Sequence, residues 1–182
     1  MRSQTAPTQQ IERRLVTILA ADIAGYSRLM GADEEGTLAL LRVCRRELIE
    51  PFIARHHGRL VKTIGDGLLV EFASPVEAVR CAVAWQHAMT GHNADLAAEQ
   101  RLKFRIGINL GNVIIEDKDL YGNAVNIAAR LETLAHPGGI CISQTVHDQI
   151  RDRLALPFED GGDRASRISR GLCALTLCPP KP

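Results

Sequence analysis

A short glycine-rich turn between two apolar segments constrains the fold of this chain more than any other feature. Residues 58–64 and 68–72 have the composition of strands, and Gly65-Asp66-Gly67 lies between them. Strand-forming segments joined by such a turn predict an antiparallel β-hairpin with Asp66 at its tip. The sheet of this protein therefore cannot be purely parallel.

Further strands alternate with helices along the rest of the chain. Residues 14–22 form an apolar segment that ends at Asp22 and predicts a buried strand. Residues 102–109 and 113–116 predict a second strand pair that turns around Gly111, and a polar loop, Asp117-Lys118-Asp119, follows. Two later segments, 139–143 and 172–177, predict a strand and a final edge strand.

Four segments have helical periodicity. A helix from about residue 33 directs apolar residues inward, and Pro51 should kink or divide it. Ser74-Pro75-Val76-Glu77 combines an N-cap serine, a first-turn proline and a glutamate three residues after the cap, so a helix begins there. Helices are also predicted over 122–135 and 144–154. Helices between hairpins predict an α+β fold, a ferredoxin-like sandwich with helices packed on one face of an antiparallel-rich sheet.

Composition excludes several classes of protein. At 182 residues the chain has the length of one domain. We expect a disordered lead over residues 1–12, one domain over 13–178 and a tail over 179–182. With 22 basic and 21 acidic residues, the net charge of +1 gives no general attraction to nucleic acid or membranes. Five cysteines without a CxxC pair predict buried thiols in a reducing, cytoplasmic compartment.

Two aspartates follow neighbouring predicted strands. Asp22 ends one strand and Asp66 lies at the hairpin tip, so both can project from one end of the sheet. Paired carboxylates suit Mg²⁺, which binds one or two protein carboxylates together with substrate phosphates. Backbone N–H groups from Gly25 to Ser27 offer a cradle for a polyphosphate. Each aspartate taken alone is better explained as an ordinary turn or cap residue, and it is their joint arrangement that favours a metal site.

Four blocks of sequence resemble the signature blocks of class III adenylate and guanylate cyclases, in the family's order and spacing. These blocks are residues 21–27, 61–67, 105–111 and 119–130. The resemblance extends over about residues 14–156 and implies the cyclase fold. It also implies attack of the ribose 3′-oxygen on the α-phosphate, with release of pyrophosphate and formation of a cyclic nucleotide.

The resemblance implies a role for each matched position. Asp22 and Asp66, with the Ile23 carbonyl, match the ligands of two Mg²⁺ or Mn²⁺ ions. Lys62 and Asp119 match the residues that recognise the purine. Asn126 matches the residue that positions the ribose, and Arg130 matches the one that stabilises charge at the α-phosphate. The substrate-binding loop corresponds to Gly25, Tyr26 and Ser27, although packing is the favoured role for Tyr26.

The family builds its site between two chains, which implies a homodimer with two shared sites and ATP as substrate. Lys62 and Asp119 favour adenine, since guanine presents the reverse hydrogen-bonding pattern at its O6 and N1 positions. A guanylate or mixed-purine cyclase, or a silent nucleotide-binding or dimerisation module, remains open. The segment after Asp160 lacks the family's phosphate-contacting lysine, for which Arg164 or Arg167 would have to substitute. His56 and His57 are expected to be structural or solvated.

Overall fold

The protein is built around one curled sheet. The structure, a computed structural model, describes residues 12–157, 159–160 and 172–175. The eight strands run in the order β2-β3-β1-β4-β6-β8-β7, and β5 pairs with β4 outside this path. All pairs are antiparallel except β4 with β6. The strands are β1 (Glu12–Ile23), β2 (Arg59–Ile64), β3 (Gly67–Phe72), β4 (Phe104–Glu116), β5 (Asp119–Tyr121), β6 (Ile140–Ser143), β7 (Glu159–Asp160) and β8 (Leu172–Leu175).

Six α-helices pack on the sheet, which confirms the predicted α+β fold. They are α1 (Tyr26–Ala32), α2 (Glu34–Cys44), α3 (Glu50–Arg55), α4 (Pro75–His92), α5 (Asn123–Leu134) and α6 (Gln144–Ile150). The prediction that helices cover only one face is wrong. Helix α5 packs on one face with Val16, Ile18 and Ala20 of β1, and the other helices pack on the opposite face. Successive side chains of a strand point to opposite faces, so the apolar β1 needs cover on both.

The hairpin that motivated the fold assignment is confirmed. Ile64 pairs with Gly67 across a turn formed by Gly65 and Asp66. Gly65 has φ 61°, a left-handed conformation that glycine adopts without a steric penalty. Asp66 therefore lies at the tip of the turn, at the end of the sheet where β1 also ends.

The predicted strand pair around Gly111 is wrong, because β4 is one continuous strand of 13 residues. The whole of β1 pairs with it, from Glu12 opposite Ile115 to Ile23 opposite Phe104. A Cβ atom at position 111 would lie 2.7 Å from the Cβ of Ala124 on α5. Gly111 thus permits the close approach of a helix rather than a turn.

The helix expected around Pro51 is divided by a π-helical segment, Arg45–Ile49, between α2 and α3. Proline has no N–H and its ring collides with the carbonyl four residues earlier. The wider π turn just before Pro51 relieves that collision. The predicted inward residues Leu41 and Cys44 are buried.

Among the smaller features of the fold, some predictions are confirmed and others are wrong. Helix α4 begins as predicted, since the Ser74 side chain accepts a hydrogen bond from the N–H of Glu77. Helix α6 ends at Ile150, earlier than the expected residue 154. Strand β8 lies between β6 and β7, so the prediction that it is an edge strand is wrong. The predicted lead over residues 1–12 lies outside the described residues except for Glu12, which begins β1. The 179–182 tail, Arg164 and Arg167 also lie outside the described residues.

No helix among the residues that the structure describes has the length and apolar character needed to cross a membrane.

Candidate functional site

The structure brings the two predicted metal-binding aspartates to the same end of the sheet. Asp22 is the penultimate residue of β1, and Asp66 lies in the β2–β3 turn. The backbone N–H of Ile23 donates to Asp66 Oδ2 at 2.9 Å. This bond fixes the Asp66 carboxylate beside the end of β1, so Asp22, Ile23 and Asp66 form one cluster.

Arg105 completes this cluster, although the sequence analysis gave it no role. It lies directly opposite Asp22 in the β1–β4 pairing. Its Nε donates to Asp22 Oδ1 at 2.9 Å, and its Nη2 donates to Asp22 Oδ2. The hydrogen bond to Asp22 raises the pKa of Arg105. The arginine holds the carboxylate in a fixed plane through two bonds, as a guanidinium fork does. Its position in a signature block was the signal that could have identified it.

Glu132, on α5, is a second residue that the sequence analysis missed. Burial raises its pKa to about 8, and the charge of Asp22 and a hydrogen bond to it contribute further. Gly107 on β4 allows α5 to lie this close, because a Cβ there would be 2.2 Å from the Ala128 carbonyl oxygen. Three carboxyl groups and one arginine therefore share a partly buried space.

The donor set suits a hard divalent cation. Burial raises the pKa of Glu132 most and the negative charge of Asp22 raises it further, and a bound cation would offset this second effect. Across the described part of the chain, no group of three or more His, Cys, Asp or Glu side chains is arranged to hold a metal ion. A cation at Asp22 and Asp66 would thus need water or substrate phosphate as remaining ligands, which is the usual arrangement for Mg²⁺.

The two predicted purine-recognition residues, Lys62 and Asp119, are in direct contact. The Lys62 Nζ donates to Asp119 Oδ2 at 2.7 Å, although 57 positions separate them in the sequence. The second oxygen, Oδ1, accepts from the N–H of Leu120 at 2.7 Å. The hydrogen bond from Lys62 lowers the pKa of Asp119. We call Lys62 and Asp119 the purine pair.

Two neighbouring features hold the purine pair in place. Asp119 begins β5 and is carried by the β4–β5 hairpin, in which Glu116 pairs with Asp119. The Lys62 ammonium also lies 5.6 Å from the centre of the Tyr121 ring, within the range of a cation–π contact. The pair is a quarter to a third exposed, so it can be reached by a ligand.

Asn126 and Arg130 lie one turn apart on an exposed side of α5. Ala124, Ala128 and Leu131 form the buried side of this helix. Neither the Asn126 nor the Arg130 side chain makes a hydrogen bond or ion pair with another described residue. Glu132 reaches the aspartates and lies about 200° around the helix axis from Arg130, at about 100° per residue. The structure therefore does not bring Arg130 to the aspartates of its own chain.

The predicted phosphate loop begins α1. Gly25 is the N-cap residue of this helix with φ 72°. Tyr26 and Ser27 supply its first two N–H groups, which have no intrahelical acceptor in any α-helix. The Tyr26 side chain packs against the main core, as expected. Ser27 and Gly25 are exposed.

His56 and three of the five cysteines are structural, as expected, and the side chains of Cys173 and Cys178 lie outside the described part of the chain. The Nδ1 of His56 lies 2.8 Å from Glu77 Oε2, which joins the end of α3 to the start of α4. Cys44, Cys81 and Cys141 are buried. Burial raises the pKa of the Cys44 and Cys81 thiols to about 12, so these thiols are protonated and unreactive at neutral pH.

Comparisons of the sequence and of the structure with known proteins both find adenylate and guanylate cyclases. Residues 8–164 match the model of the adenylate and guanylate cyclase catalytic domain. The chain is 49% identical over 154 residues to "Putative adenylate cyclase 3" of Rhizobium meliloti (strain 1021), covering 85% of this chain and 26% of that protein. It spans between about a sixth and about half of the length of the first curated relatives that it matches.

Two solved structures share the fold. The crystal structure of an adenylate/guanylate cyclase/hydrolase from Silicibacter pomeroyi has a TM-score of 0.82 and 46% identity, over 91% of this chain and 96% of that one. The adenylyl cyclase CyaB from P. aeruginosa has a TM-score of 0.77 and 24% identity, over 94% of this chain and 98% of that one. The second likeness shows the fold alone.

Proposed function

Because the chain belongs to the adenylate and guanylate cyclase catalytic domain family, we propose that it converts ATP to 3′,5′-cyclic AMP and pyrophosphate. The observation that carries the choice of ATP is the purine pair, with Lys62 and Asp119 in contact at 2.7 Å. The lysine supplies a donor for adenine N1, and the carboxylate supplies an acceptor for the exocyclic amine. Guanine offers an acceptor and a donor in the reverse order, and would leave these groups unpaired.

Asp22, Asp66 and the Ile23 carbonyl would hold two Mg²⁺ or Mn²⁺ ions. When bound, such ions supply charge stabilisation at the reacting oxygens and at the leaving pyrophosphate. The chain's own contribution is positional, since Arg105 fixes the Asp22 carboxylate and the Ile23 N–H fixes that of Asp66. The first N–H groups of α1, at Tyr26 and Ser27, lie next along the chain and would bind phosphate oxygens.

Arg130 and Asn126 would act on the other side of the substrate. Arg130 offers planar, always charged donors to the α-phosphate, where charge develops during the reaction. Asn126, one turn earlier, would orient the ribose so that its 3′-oxygen lies in line with the phosphorus. Both side chains are exposed and make no hydrogen bond or ion pair with the described residues, which leaves their polar groups available to a ligand.

These groups act together only if two chains share each site. Lys62 and Asp66 are four residues apart, yet Lys62 contacts the β4–β5 hairpin and Asp66 contacts the end of β1. Arg130 lies on the side of α5 away from the aspartates. A two-fold homodimer would place the aspartates of one copy opposite the purine pair, Asn126 and Arg130 of the other, and would create two equivalent sites.

Incubation of the purified protein with ATP or with GTP, in the presence of Mn²⁺, tests this function. We expect cyclic AMP, identified by mass, with ATP preferred over GTP. The Asp66→Ala variant serves as the control and should form no product. Cyclic GMP as the main product would contradict the assignment of the purine pair, and no cyclic product from either nucleotide would overturn the proposed activity.

A further inference from the structure

One arginine on β2 joins the purine-recognition region to the body of the sheet. Arg59 Nη1 donates to the backbone carbonyl of Lys118 at 2.9 Å. Its Nε donates to Glu71 Oε2 on β3 at 2.9 Å, and Nη2 bonds to the same carboxylate. A single guanidinium thus connects β3 to the turn that immediately precedes Asp119.

A β-bulge explains why Arg59 can reach this turn. Arg59 pairs with Glu71 and Lys62 pairs with Leu69, so β2 has one more residue than β3 in this interval. Residues three apart in a regular strand point to opposite faces. The extra residue places Arg59 and Lys62 on the same face, because positions 71 and 69 of β3 share a face. Bulges commonly redirect a side chain in this way.

The two side chains bridge elements that share no backbone pairing. Strand β2 pairs with β3, and β5 pairs with β4. Within the described residues, two hydrogen bonds join β2 to the β4–β5 hairpin, beside the contact of Lys62 with the Tyr121 ring: Lys62 bonds to the Asp119 side chain and Arg59 bonds to the Lys118 carbonyl. The hairpin is therefore held at two adjacent points from the same face of β2.

The turn of this hairpin needs support. Asp117 and Lys118 have φ values of 49° and 67°, which place two non-glycine residues in the left-handed region, at an energetic cost. The carbonyl that Arg59 binds belongs to the second of these residues. A charge-assisted bond at this point opposes relaxation of the turn and the displacement of Asp119.

Glu71 in turn fixes the direction of Arg59. Glu71 is 7% exposed, and its carboxylate also accepts a hydrogen bond from Arg14 on β1. A buried carboxylate held by two arginines has little freedom to move. The Arg59 guanidinium is thus presented to the hairpin in a set orientation.

We infer that Arg59 is a positioning residue for purine recognition: it holds the β4–β5 hairpin so that Asp119 meets Lys62 in the geometry that distinguishes adenine from guanine. The effect on selectivity for adenine rests on the proposed function. The restraint of the β4–β5 hairpin by Arg59 does not. The two parts can be measured separately.

Arg14 provides a matched control. Arg14 and Arg59 both bind Glu71, and both are about half exposed, but of the two side chains only that of Arg59 bonds to the turn of the hairpin. Arg14→Ala and Arg59→Ala therefore remove the same kind of partner from Glu71. Arg59→Lys is a third variant, which keeps a positive charge near Glu71 but lacks the fork required for both contacts.

The first measurement is amide hydrogen exchange of residues 117–121 in the protein without nucleotide. We expect exchange about tenfold faster in Arg59→Ala and Arg59→Lys, and unchanged in Arg14→Ala, since one charge-assisted bond corresponds to about one decade. Equal exchange in the Arg59 and Arg14 variants would overturn the inference. This result does not depend on any activity. If Arg59→Ala does not fold, Arg59→Lys still allows the test, because it keeps a positive charge near Glu71.

The second measurement is the ratio of kcat/KM for ATP to that for GTP. We expect this ratio to fall about tenfold in both Arg59 variants, mainly through a higher KM for ATP, and to stay within about twofold of the original in Arg14→Ala. An unchanged ratio alongside faster exchange would also refute the role in purine recognition. A wild-type protein that forms no cyclic nucleotide would refute the proposed function; the ratio of ATP to GTP dissociation constants would then take the place of the kinetic ratio.

Discussion

Replacement of Gly107 by alanine tests whether α5 lies as close to β4 as the structure places it. An added Cβ would lie 2.2 Å from the Ala128 carbonyl oxygen and 2.2 Å from the Glu132 backbone nitrogen. Real Cβ atoms essentially never approach closer than 3.0 Å, so the contact is about 0.8 Å too short. Both neighbours are backbone atoms, which cannot rotate away as a flexible side chain does.

The whole of α5 must therefore move away from the sheet. Overpacking of a core typically costs about 1–3 kcal/mol, and a clash with helical backbone belongs at the upper end, so we expect a loss of about 3 kcal/mol. For a domain of this size, that loss lowers Tm by about 6–12 °C. The shift is measured by circular dichroism during heating, at one protein concentration for all variants.

Gly91→Ala is the matched control, since Gly91 lies in α4 with no atom within 4 Å of the added Cβ. Alanine in a helix should stabilise the protein by about 0.5–1 kcal/mol. If Gly107→Ala melts within about 1 °C of the original protein, α5 does not pack at the described distance. The placement of Glu132 beside Asp22 would then also be incorrect.

Two further predictions concern the reaction and the stability of the fold. Arg130→Ala should lower kcat about 100-fold and change KM for ATP less than about threefold, because the bond from Arg130 to the α-phosphate would strengthen as charge develops there. Steady-state assays measure both constants. Equal losses in binding and turnover would contradict this role. The hydrogen bond to His56 lowers the pKa of Glu77, so its stabilisation is present above the unfolded pKa near 4.5 and disappears as the pH falls through the lower folded value. Glu77→Gln should thus reduce stability by about 1 kcal/mol at pH 7 and by less near pH 3 in urea titrations; exposed Glu99 is the control position, and a difference that is independent of pH would refute the reasoning.

Local sequence signals predicted much of the fold because they act within a few residues. The Gly65-Asp66-Gly67 turn and the Ser74 cap are determined by backbone chemistry at those positions, and both are confirmed. Gly111 is also a glycine between two apolar segments, but it does not form a turn. Glycine is required there because α5 packs against this position. A single sequence does not show which distant element packs against a glycine.

In the candidate site too, residues in recognisable sequence blocks were predicted, and residues whose roles depend on contacts between distant elements were not. Asp22, Asp66, Lys62 and Asp119 were identified from matched blocks, and the structure brings each pair together. Arg105, Glu132 and Arg59 were given no role, because their contacts depend on strand register, helix position and a β-bulge. The joining of α3 to α4 by His56 and Glu77 was missed for the same reason, since 21 positions separate the two residues.

The central claim is that two copies of the chain share each site, and mixing two inactive variants tests it most directly. In the proposed function, Asp66→Ala removes a metal ligand, and Arg130→Ala removes the phosphate contact supplied by the opposite copy. Random pairing makes half of the dimers mixed, and one of the two sites in each mixed dimer regains every group, so the mixture should recover about a quarter of the original activity. A mixture of Asp22→Ala with Asp66→Ala should recover none, since both sites of that mixed dimer lack an aspartate. Recovery in the first mixture alone is the predicted result, and activity no higher than that of the separate variants would contradict the shared site.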